Sequence, residues 1–136
     1  MKTKVAVYGS LRRLLGNHGL LENSTYLGEE WTGEGYKMIS LGGFPGVLLD
    51  KTAGKIKIEV YEVDTLTANR LDMLEGYHGE GNPNNFYNRE TIETVHGEAF
   101  IYYINDRYNE STNEVITTGD WTEYYMDKKK KYLNDY

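Results

Sequence analysis

Residues 5–11 combine an alternating apolar run with a Gly-Ser pair, which is typical of a buried strand that delivers a loop to the edge of a sheet. Gly9 allows the backbone to approach a ligand closely, and the successive N–H groups of Gly9, Ser10 and Leu11 can converge on one anion. The loop therefore predicts a site for a carboxylate or a phosphate. A strand that ends in Gly-Ser is also an ordinary turn, so the interpretation needs support from a second functional element.

Glu75 supplies this second element, because it lies at the end of the one segment that reads clearly as a helix. Asp64 or Thr65 can cap the start of the helix, and Gly76 lies where a helix usually stops. The C-terminus of a helix carries partial negative charge, so a carboxyl group there is more stable protonated than ionised. Many acids at helix ends are simply solvated, but this position favours a group that exchanges a proton near neutral pH.

Other residues that carry chemistry do not form recognisable sites. Arg12 and Arg13 follow the Gly-Ser loop without the spacing or the lysine of a P-loop, and we expect them to be solvated. The histidines lack the spacing of metal ligands and the chain has no cysteine, so we expect neither a metal site nor a cofactor. Ser10 lacks the Gly-Xaa-Ser-Xaa-Gly pattern and an evident histidine partner, which argues against a serine hydrolase.

The elements that must position these residues are mostly strands. Alternating and β-branched segments bounded by Gly, Asn or Asp predict strands at about 3–8, 25–31, 35–41, 46–50, 55–63, 86–95 and 98–104. In the predicted helix, an apolar stripe is formed by Leu66, Leu71, Met73 and Leu74. Residues 78–85 contain two glycines and no apolar anchor, which predicts a mobile surface loop beside Glu75.

Composition limits the class of protein. A chain of 136 residues predicts a single domain over residues 1–136, with a frayed or helical tail from about residue 127. Fifteen glycines, 13 tyrosines and two prolines favour many short strands. The net charge of −6 argues against nucleic-acid binding. Without cysteine, an apolar leader or a segment of membrane-spanning length, we expect a cytoplasmic protein with no membrane association.

Six short motifs occur in a fixed order along most of the chain. They are Tyr8-Gly9-Ser10-Leu11, Gly42-Gly43-Phe44-Pro45-Gly46, Glu59-Val60-Tyr61-Glu62-Val63, Leu71-Asp72 with Glu75-Gly76-Tyr77, Tyr87-Asn88-Arg89, and Gly119-Asp120-Trp121 with Tyr124. The motifs and their order resemble those of the gamma-glutamylcyclotransferase-like family, and in particular its gamma-glutamylamine cyclotransferase type. The resemblance extends from residue 5 to about residue 125.

The resemblance implies an α+β fold, a small mixed β-barrel with one main helix and a cavity at its mouth. It implies that Tyr8, Gly9, Ser10 and Leu11 form a substrate-binding loop and that Glu75 is the general acid/base. Members of the family release 5-oxoproline from a γ-glutamyl amine or amide, by attack of the α-amine on the γ-carbonyl, without a metal or a cofactor. The leaving amine and the oligomeric state stay open.

Three further residues are possible parts of the pocket. Tyr87 and Arg89 belong to one motif, and Arg89 either pairs with an acid or touches the substrate. Tyr124 either lines the mouth or packs in the core. Ile58 stands where the family usually has glycine, which predicts a bulkier barrel wall.

An alternative function is a non-catalytic module that binds a small anion or a peptide end on the same barrel. A module that only binds carboxylates gains nothing from a buried negative charge at Glu75, which favours the enzyme.

Overall fold

The computed structural model describes residues 2–13, 15–110 and 112–134, with side chains up to residue 130. The elements in chain order are β1 (Lys2–Val7), β2 (Thr25–Trp31), β3 (Tyr36–Ser40), β4 (Pro45–Leu49), β5 (Lys57–Asp64), α1 (Thr65–Leu74), β6 (Tyr87–Thr94), β7 (Gly97–Ile104) and α2 (Trp121–Asn134). Short 3₁₀ turns lie at His18–Leu21 and Asp106–Tyr108. Each predicted strand is present, with ends that shift by at most two residues.

The central strand β1 carries the predicted anion-binding loop at its C-terminal end. Five strands form one sheet in the order β2-β5-β1-β7-β6. β1 is antiparallel to β5, with Val7 opposite Glu59, and parallel to β7, with Ala6 opposite Ile101. Because β1 is flanked on both sides, its direction and register are fixed by two ladders, and the loop leaves the sheet at a defined point.

The α+β class is confirmed, while two details of the predicted architecture are corrected. In the described residues, β3 and β4 form a separate two-stranded sheet, and no ladder closes the strands into a barrel. The hairpin packs on β7 through side chains instead, since a Cβ added at Gly46 would lie 3.1 Å from Ile104. The second detail is the number of helices, because the described residues form a second helix, α2, in addition to the predicted α1.

Both faces of the five-stranded sheet are buried. Along β1 and β5 alternate side chains enter two separate clusters, as the period of two in a strand requires. Val5 and Tyr61 enter the cluster that contains Leu71 of α1, whereas Ile58 enters the one that contains Trp121 of α2. Ile58 is therefore a core residue of the second cluster, and it does not line the main cavity.

Helix α1 begins and ends as predicted but buries less of its apolar stripe. The Asp64 carboxylate accepts a hydrogen bond of 2.8 Å from the Thr67 N–H, and Gly76 follows the helix with φ of 63°. Leu71 is fully buried against the sheet. The rest of the stripe is largely exposed, namely Leu66, Met73 and Leu74. The prediction of a broad buried stripe is wrong, because α1 covers the sheet with one narrow side only.

The C-terminal tail, predicted to be frayed or helical from about residue 127, is helical up to Asn134 as part of α2. The Asp120 carboxylate accepts a hydrogen bond of 3.2 Å from the Glu123 N–H, which caps the first turn. Just before it, Gly119 approaches the segment that precedes β5 so closely that an added Cβ would collide with the Lys55 carbonyl oxygen. The helix continues to Asn134, and residues 135 and 136 of the predicted tail lie outside the described residues. Among the described helices, none is long and apolar enough to span a membrane.

Candidate active site

A cavity of about 300 Å³ opens beside the C-terminal ends of β1 and α1. It brings the predicted loop and Glu75 together, although they are more than sixty positions apart in sequence. The cavity is lined by Ala6, Val7, Tyr8, Gly9, Ser10, Leu11, Asn17, Gly43, Phe44, Pro45, Leu74, Glu75, Phe86, Tyr87 and Tyr102. The only charged side chain of this lining is that of Glu75.

The backbone of the loop is held through its carbonyl groups. The Gly9 carbonyl accepts a 2.9 Å hydrogen bond from the Arg12 N–H, and the Ser10 carbonyl accepts one of 2.9 Å from the Asn17 N–H. The Leu11 carbonyl lies 2.9 Å from Nδ1 of His18, which must carry the proton because a carbonyl oxygen only accepts. Three consecutive peptide groups are thereby fixed in orientation.

The N–H groups of the same loop are available to a ligand. Within the described part of the chain, no hydrogen bond is donated by the N–H of Gly9, Ser10 or Leu11. Asn17 donates from its side-chain amide to the Ser10 hydroxyl at 2.8 Å, which holds that side chain in place. Successive backbone N–H groups without an acceptor in the described residues have the composition of an anion site, as the sequence predicts.

Packing against the Pro45 ring requires glycine at position 9. An added Cβ at Gly9 would lie 2.9 Å from both Cγ and Cδ of the Pro45 ring, which is closer than carbon atoms approach. The ring of Pro45 therefore rests on the loop backbone. This contact joins the β3–β4 hairpin to the loop and closes one wall of the cavity.

Arg12 anchors the loop from behind through a buried network of charges. Its Nε donates to Oε2 of Glu59 at 2.8 Å, and its Nη1 donates to Oδ1 of Asp120 at 2.8 Å. The other oxygen of Glu59 accepts from the Arg13 N–H at 2.9 Å and from the Tyr61 hydroxyl at 2.8 Å. Arg12 is 3% exposed and Glu59 2% exposed. The expectation that Arg12 is solvated is wrong, whereas the side chain of Arg13 is half exposed.

This network joins the loop to β5 and to the start of α2. Although burial acts against ionisation, the hydrogen bonds from Arg12 and from the Glu123 N–H keep the pKa of Asp120 below its ordinary value. Glu59 and Asp120 are thus carboxylates whose charge is matched by the guanidinium of Arg12. The loop cannot move away without leaving buried charges unpaired.

Glu75 lies directly after α1 as its C-terminal cap. Its N–H donates to the Leu71 carbonyl at 2.9 Å, and its carbonyl accepts from the Tyr87 N–H at 3.2 Å. Among the described residues, no salt bridge reaches its carboxylate. Burial raises the pKa of Glu75 from 4.5 to about 7. A carboxyl group with this pKa both accepts and donates a proton at neutral pH.

Three tyrosines lie around Glu75, and each donates a hydrogen bond from its hydroxyl group to another group of the protein. They are Tyr8, Tyr87 and Tyr102. The Tyr8 hydroxyl donates to the backbone carbonyl of Tyr102 at 2.7 Å, and the Tyr87 hydroxyl donates to the Pro45 carbonyl. Burial, and to a lesser degree the charge of Glu75, raises the pKa of Tyr87 well above its ordinary value. The rings therefore stay neutral, and they form uncharged walls beside Glu75 in the cavity.

Of the three possible pocket residues, Tyr87 lines the cavity while Arg89 and Tyr124 do not. Arg89 makes two contacts from Nη1 to the carboxylate of Asp72, at 2.9 and 3.0 Å, and the same carboxylate accepts from the Tyr102 hydroxyl at 2.7 Å. Arg89 therefore orients a wall residue from outside. Tyr124 packs on Trp121 with ring centroids 5.3 Å apart, next to the second core cluster.

The loop at 78–85 is organised by one buried side chain. Asn85 is fully buried, and its amide accepts from the His78 N–H at 2.6 Å and donates to the Gly79 carbonyl at 2.8 Å. None of the residues of this loop lines the main cavity. The loop has no apolar anchor, as predicted, and the buried polar side chain of Asn85 takes that place.

Sequence reasoning did not find several residues of the cavity wall. Phe44 and Pro45 belong to the motif Gly42-Gly43-Phe44-Pro45-Gly46, for which the sequence suggests no role. Two bulky rings between glycines are the signal that could have pointed to a cavity wall. Phe86 and Tyr102 look like ordinary strand aromatics. The sequence around Asn17 gives no sign of a role in the cavity, because only the turn after the loop at 9–11 brings this residue next to Ser10.

Sequence and structure comparisons agree on one family. The pattern described as "Gamma-glutamyl cyclotransferase, AIG2-like" matches residues 5–123. A "Putative gamma-glutamylcyclotransferase" of Vibrio cholerae is 36% identical over 123 residues, covering 90% of this chain and 98% of the relative. The "Gamma-glutamylcyclotransferase family protein YtfP" of Escherichia coli K12 is 33% identical over 122 residues, covering 88% and 96%. The crystal structure of an uncharacterized protein of Pyrococcus horikoshii matches with a TM-score of 0.74 at 30% identity, covering 92% and 94%.

The Arg12 network makes a prediction about stability. We expect Arg12→Met to lower the free energy of unfolding by about 3–5 kcal/mol, because Glu59 and Asp120 stay buried without a cation. The matched control is Arg13→Met, which removes a half-exposed side chain and should cost less than about 1 kcal/mol. Urea unfolding of both variants measures the difference. Equal losses in the two variants would contradict a buried anchor at Arg12.

The raised pKa of Glu75 predicts a stability difference that depends on pH. Between pH 4.5 and about 7 the unfolded chain releases this proton while the folded chain keeps it, so the wild-type loses stability as pH rises. Glu75→Gln removes this cost. We expect the variant to be more stable than the wild-type by about 2–3 kcal/mol at pH 8 and equally stable at pH 4.5. Denaturant unfolding at the two pH values is the measurement, and an unchanged difference would show that Glu75 is not desolvated.

Proposed function

The chain belongs to the gamma-glutamyl cyclotransferase, AIG2-like family, and from this premise we propose that it releases 5-oxoproline from a γ-glutamyl amine or amide with Glu75 as general acid/base. The observation that carries the proposal is the shared cavity, whose described lining includes the carboxyl group of Glu75 and the loop residues Gly9, Ser10 and Leu11. The proposal assigns one end of the substrate to each of these two features.

The γ-glutamyl half of the substrate fits the polar side of the cavity. Its α-carboxylate would accept hydrogen bonds from the N–H groups of Gly9, Ser10 and Leu11. The neutral walls made by Tyr8 and Tyr87 would keep the dielectric constant low around this contact, which strengthens it. With the carboxylate held, the α-amine and the γ-carbonyl of the same molecule are brought next to each other.

The reaction needs one proton carrier. The nitrogen of the α-amine attacks the γ-carbonyl carbon and forms the new C–N bond of a five-membered ring, while Glu75 accepts the proton that this nitrogen loses. The old amide C–N bond then breaks, and Glu75 returns the proton to the departing nitrogen. The products are 5-oxoproline and a free amine, and the carboxylate of Glu75 is restored. A pKa of about 7 suits both transfers.

Much of the acceleration would come from holding the substrate in a curled conformation. Well-oriented intramolecular reactions reach effective molarities of about 10⁵ M or more. The fixed peptide groups of the loop and the ring of Pro45 against Gly9 provide a rigid surface for this purpose. Rigidity in the loop is therefore part of the proposed mechanism.

Replacement of Glu75 tests its role. Glu75→Gln keeps the shape of the side chain but removes the proton acceptor, so we expect the release of 5-oxoproline to fall by about 10²-fold or more. Glu80→Gln is the control, because Glu80 is an exposed acid nearby that does not line the cavity. Circular dichroism verifies that both variants are folded. Full activity in Glu75→Gln would overturn the assignment, and ligand binding without any turnover would favour the non-catalytic module.

The pH dependence of the reaction tests the same group independently. The ionised carboxylate is the form that accepts the proton, so kcat/KM should rise with pH and bend near pH 7. The amine of the substrate also titrates, at a pH above that of Glu75, and its effect must be separated. We expect the residual activity of Glu75→Gln to keep the bend that belongs to the substrate and to lose the one near 7. Identical profiles for the two proteins would contradict the role of Glu75.

A further inference from the structure

The mouth of the cavity is apolar and partly exposed. Phe44 is 40% exposed and Leu74 is 44% exposed, although both line the cavity. The ring of Phe86 lies between them and the interior, with its centroid 6.1 Å from that of Phe44. Large apolar side chains that stay exposed at the entrance of a pocket are typical of a surface that a ligand covers.

The same entrance offers no partner for a second carboxylate. Within the described lining there is no Lys, Arg or His side chain. The cations nearby are already committed, since Arg12 is paired with Glu59 and Asp120, and Arg89 with Asp72. A carboxylate placed at this mouth would lose water without gaining a cation, and it would also meet the charge of Glu75.

The leaving amine is the part of the substrate that must reach this apolar surface. Glu75 has to lie next to the departing nitrogen in order to protonate it. Leu74 precedes Glu75 in the chain, and Phe86 is fixed beside it, because its N–H donates to the Gly76 carbonyl at 3.0 Å. A substituent on a nitrogen next to Glu75 would therefore have Leu74, Phe86 and Phe44 as apolar neighbours in the same cavity lining.

We propose that the released amine carries an apolar, preferably aromatic, group and no carboxylate next to its nitrogen, with Phe44 and Phe86 as the residues that determine this specificity. The inference rests on the proposed function and names the substrate class of that same site. Phe86 is held in place by the tilted ring of Tyr108, at 4.4 Å between ring centroids. Phe44 is the outer and more exposed of the two rings.

A set of four compounds separates the two parts of the inference. They are γ-glutamyl-phenylalanine, γ-glutamyl-phenethylamine, γ-glutamyl-alanine and γ-glutamyl-ethylamine, which differ only in the ring and in the carboxylate of the leaving amine. We expect kcat/KM for γ-glutamyl-phenethylamine to exceed that for γ-glutamyl-phenylalanine and that for γ-glutamyl-ethylamine by about 10-fold each. A preference for either amino acid derivative, or indifference to the ring, would overturn the inference.

Variants at Phe44 test whether the preference for an aromatic amine without a carboxylate comes from the apolar mouth of the cavity. Phe44→Ala should lower the ratio of the phenethylamine to the ethylamine compound by about 5-fold or more. Phe44→Arg should raise the ratio of γ-glutamyl-phenylalanine to γ-glutamyl-phenethylamine by about 10-fold, because it supplies the missing cation. Trp31→Ala is the matched control, since Trp31 is 49% exposed and does not line the cavity. It should leave both ratios unchanged. Unchanged ratios in both Phe44 variants would overturn the role of this ring.

The experiment also distinguishes a failure of the inference from a failure of the proposed function. If none of the four compounds yields 5-oxoproline, the proposed function is contradicted. Calorimetric binding of the same compounds to the Glu75→Gln protein then tests the surface alone. Tightest binding of γ-glutamyl-phenethylamine supports the inference, and equal or weaker binding of this compound overturns it.

Discussion

The candidate site depends on the pairing of buried charges behind the loop. A guanidinium that is 3% exposed is tolerated in a core only when carboxylates match its charge, and Arg12 has two such partners at 2.8 Å. The partners belong to β5 and to the residue before α2, so the network connects three distant parts of the chain. Separating them would leave buried charges unpaired, so the network restrains the backbone next to the loop at 9–11.

Glu59 and Glu75 have different surroundings, although both lie next to the loop or its cavity. Glu59 receives hydrogen bonds from Arg12, Arg13 and Tyr61, so its charge is stabilised and it acts as a structural tie. Glu75 is only partly buried, lies among neutral rings without a cation partner in the described residues, and has its pKa raised by desolvation to about 7. One glutamate is therefore held by hydrogen bonds and a salt bridge, whereas the other has none of these partners.

Much of the fold and the main parts of the site could be predicted from local sequence. Alternation located the strands, and capping signals at Asp64 and Gly76 located α1 and with it Glu75. The burial of Arg12 could not be predicted, because its partners lie 47 and 108 positions away and only the folded sheet brings them near. The exposure of Met73 was missed for a related reason, since the side of α1 that meets the sheet is decided by tertiary packing.

The loop at 78–85 is closed at its base by two backbone hydrogen bonds, from the Phe86 N–H to the Gly76 carbonyl and from the Tyr87 N–H to the Glu75 carbonyl. The chain that leaves α1 thus returns to the same place whatever lies between. A change in the length of the segment between these two hydrogen bonds would therefore leave the backbone of Glu75 where it is, because both ends of the loop are fixed to each other. The loop can vary independently of the cavity that Glu75 lines.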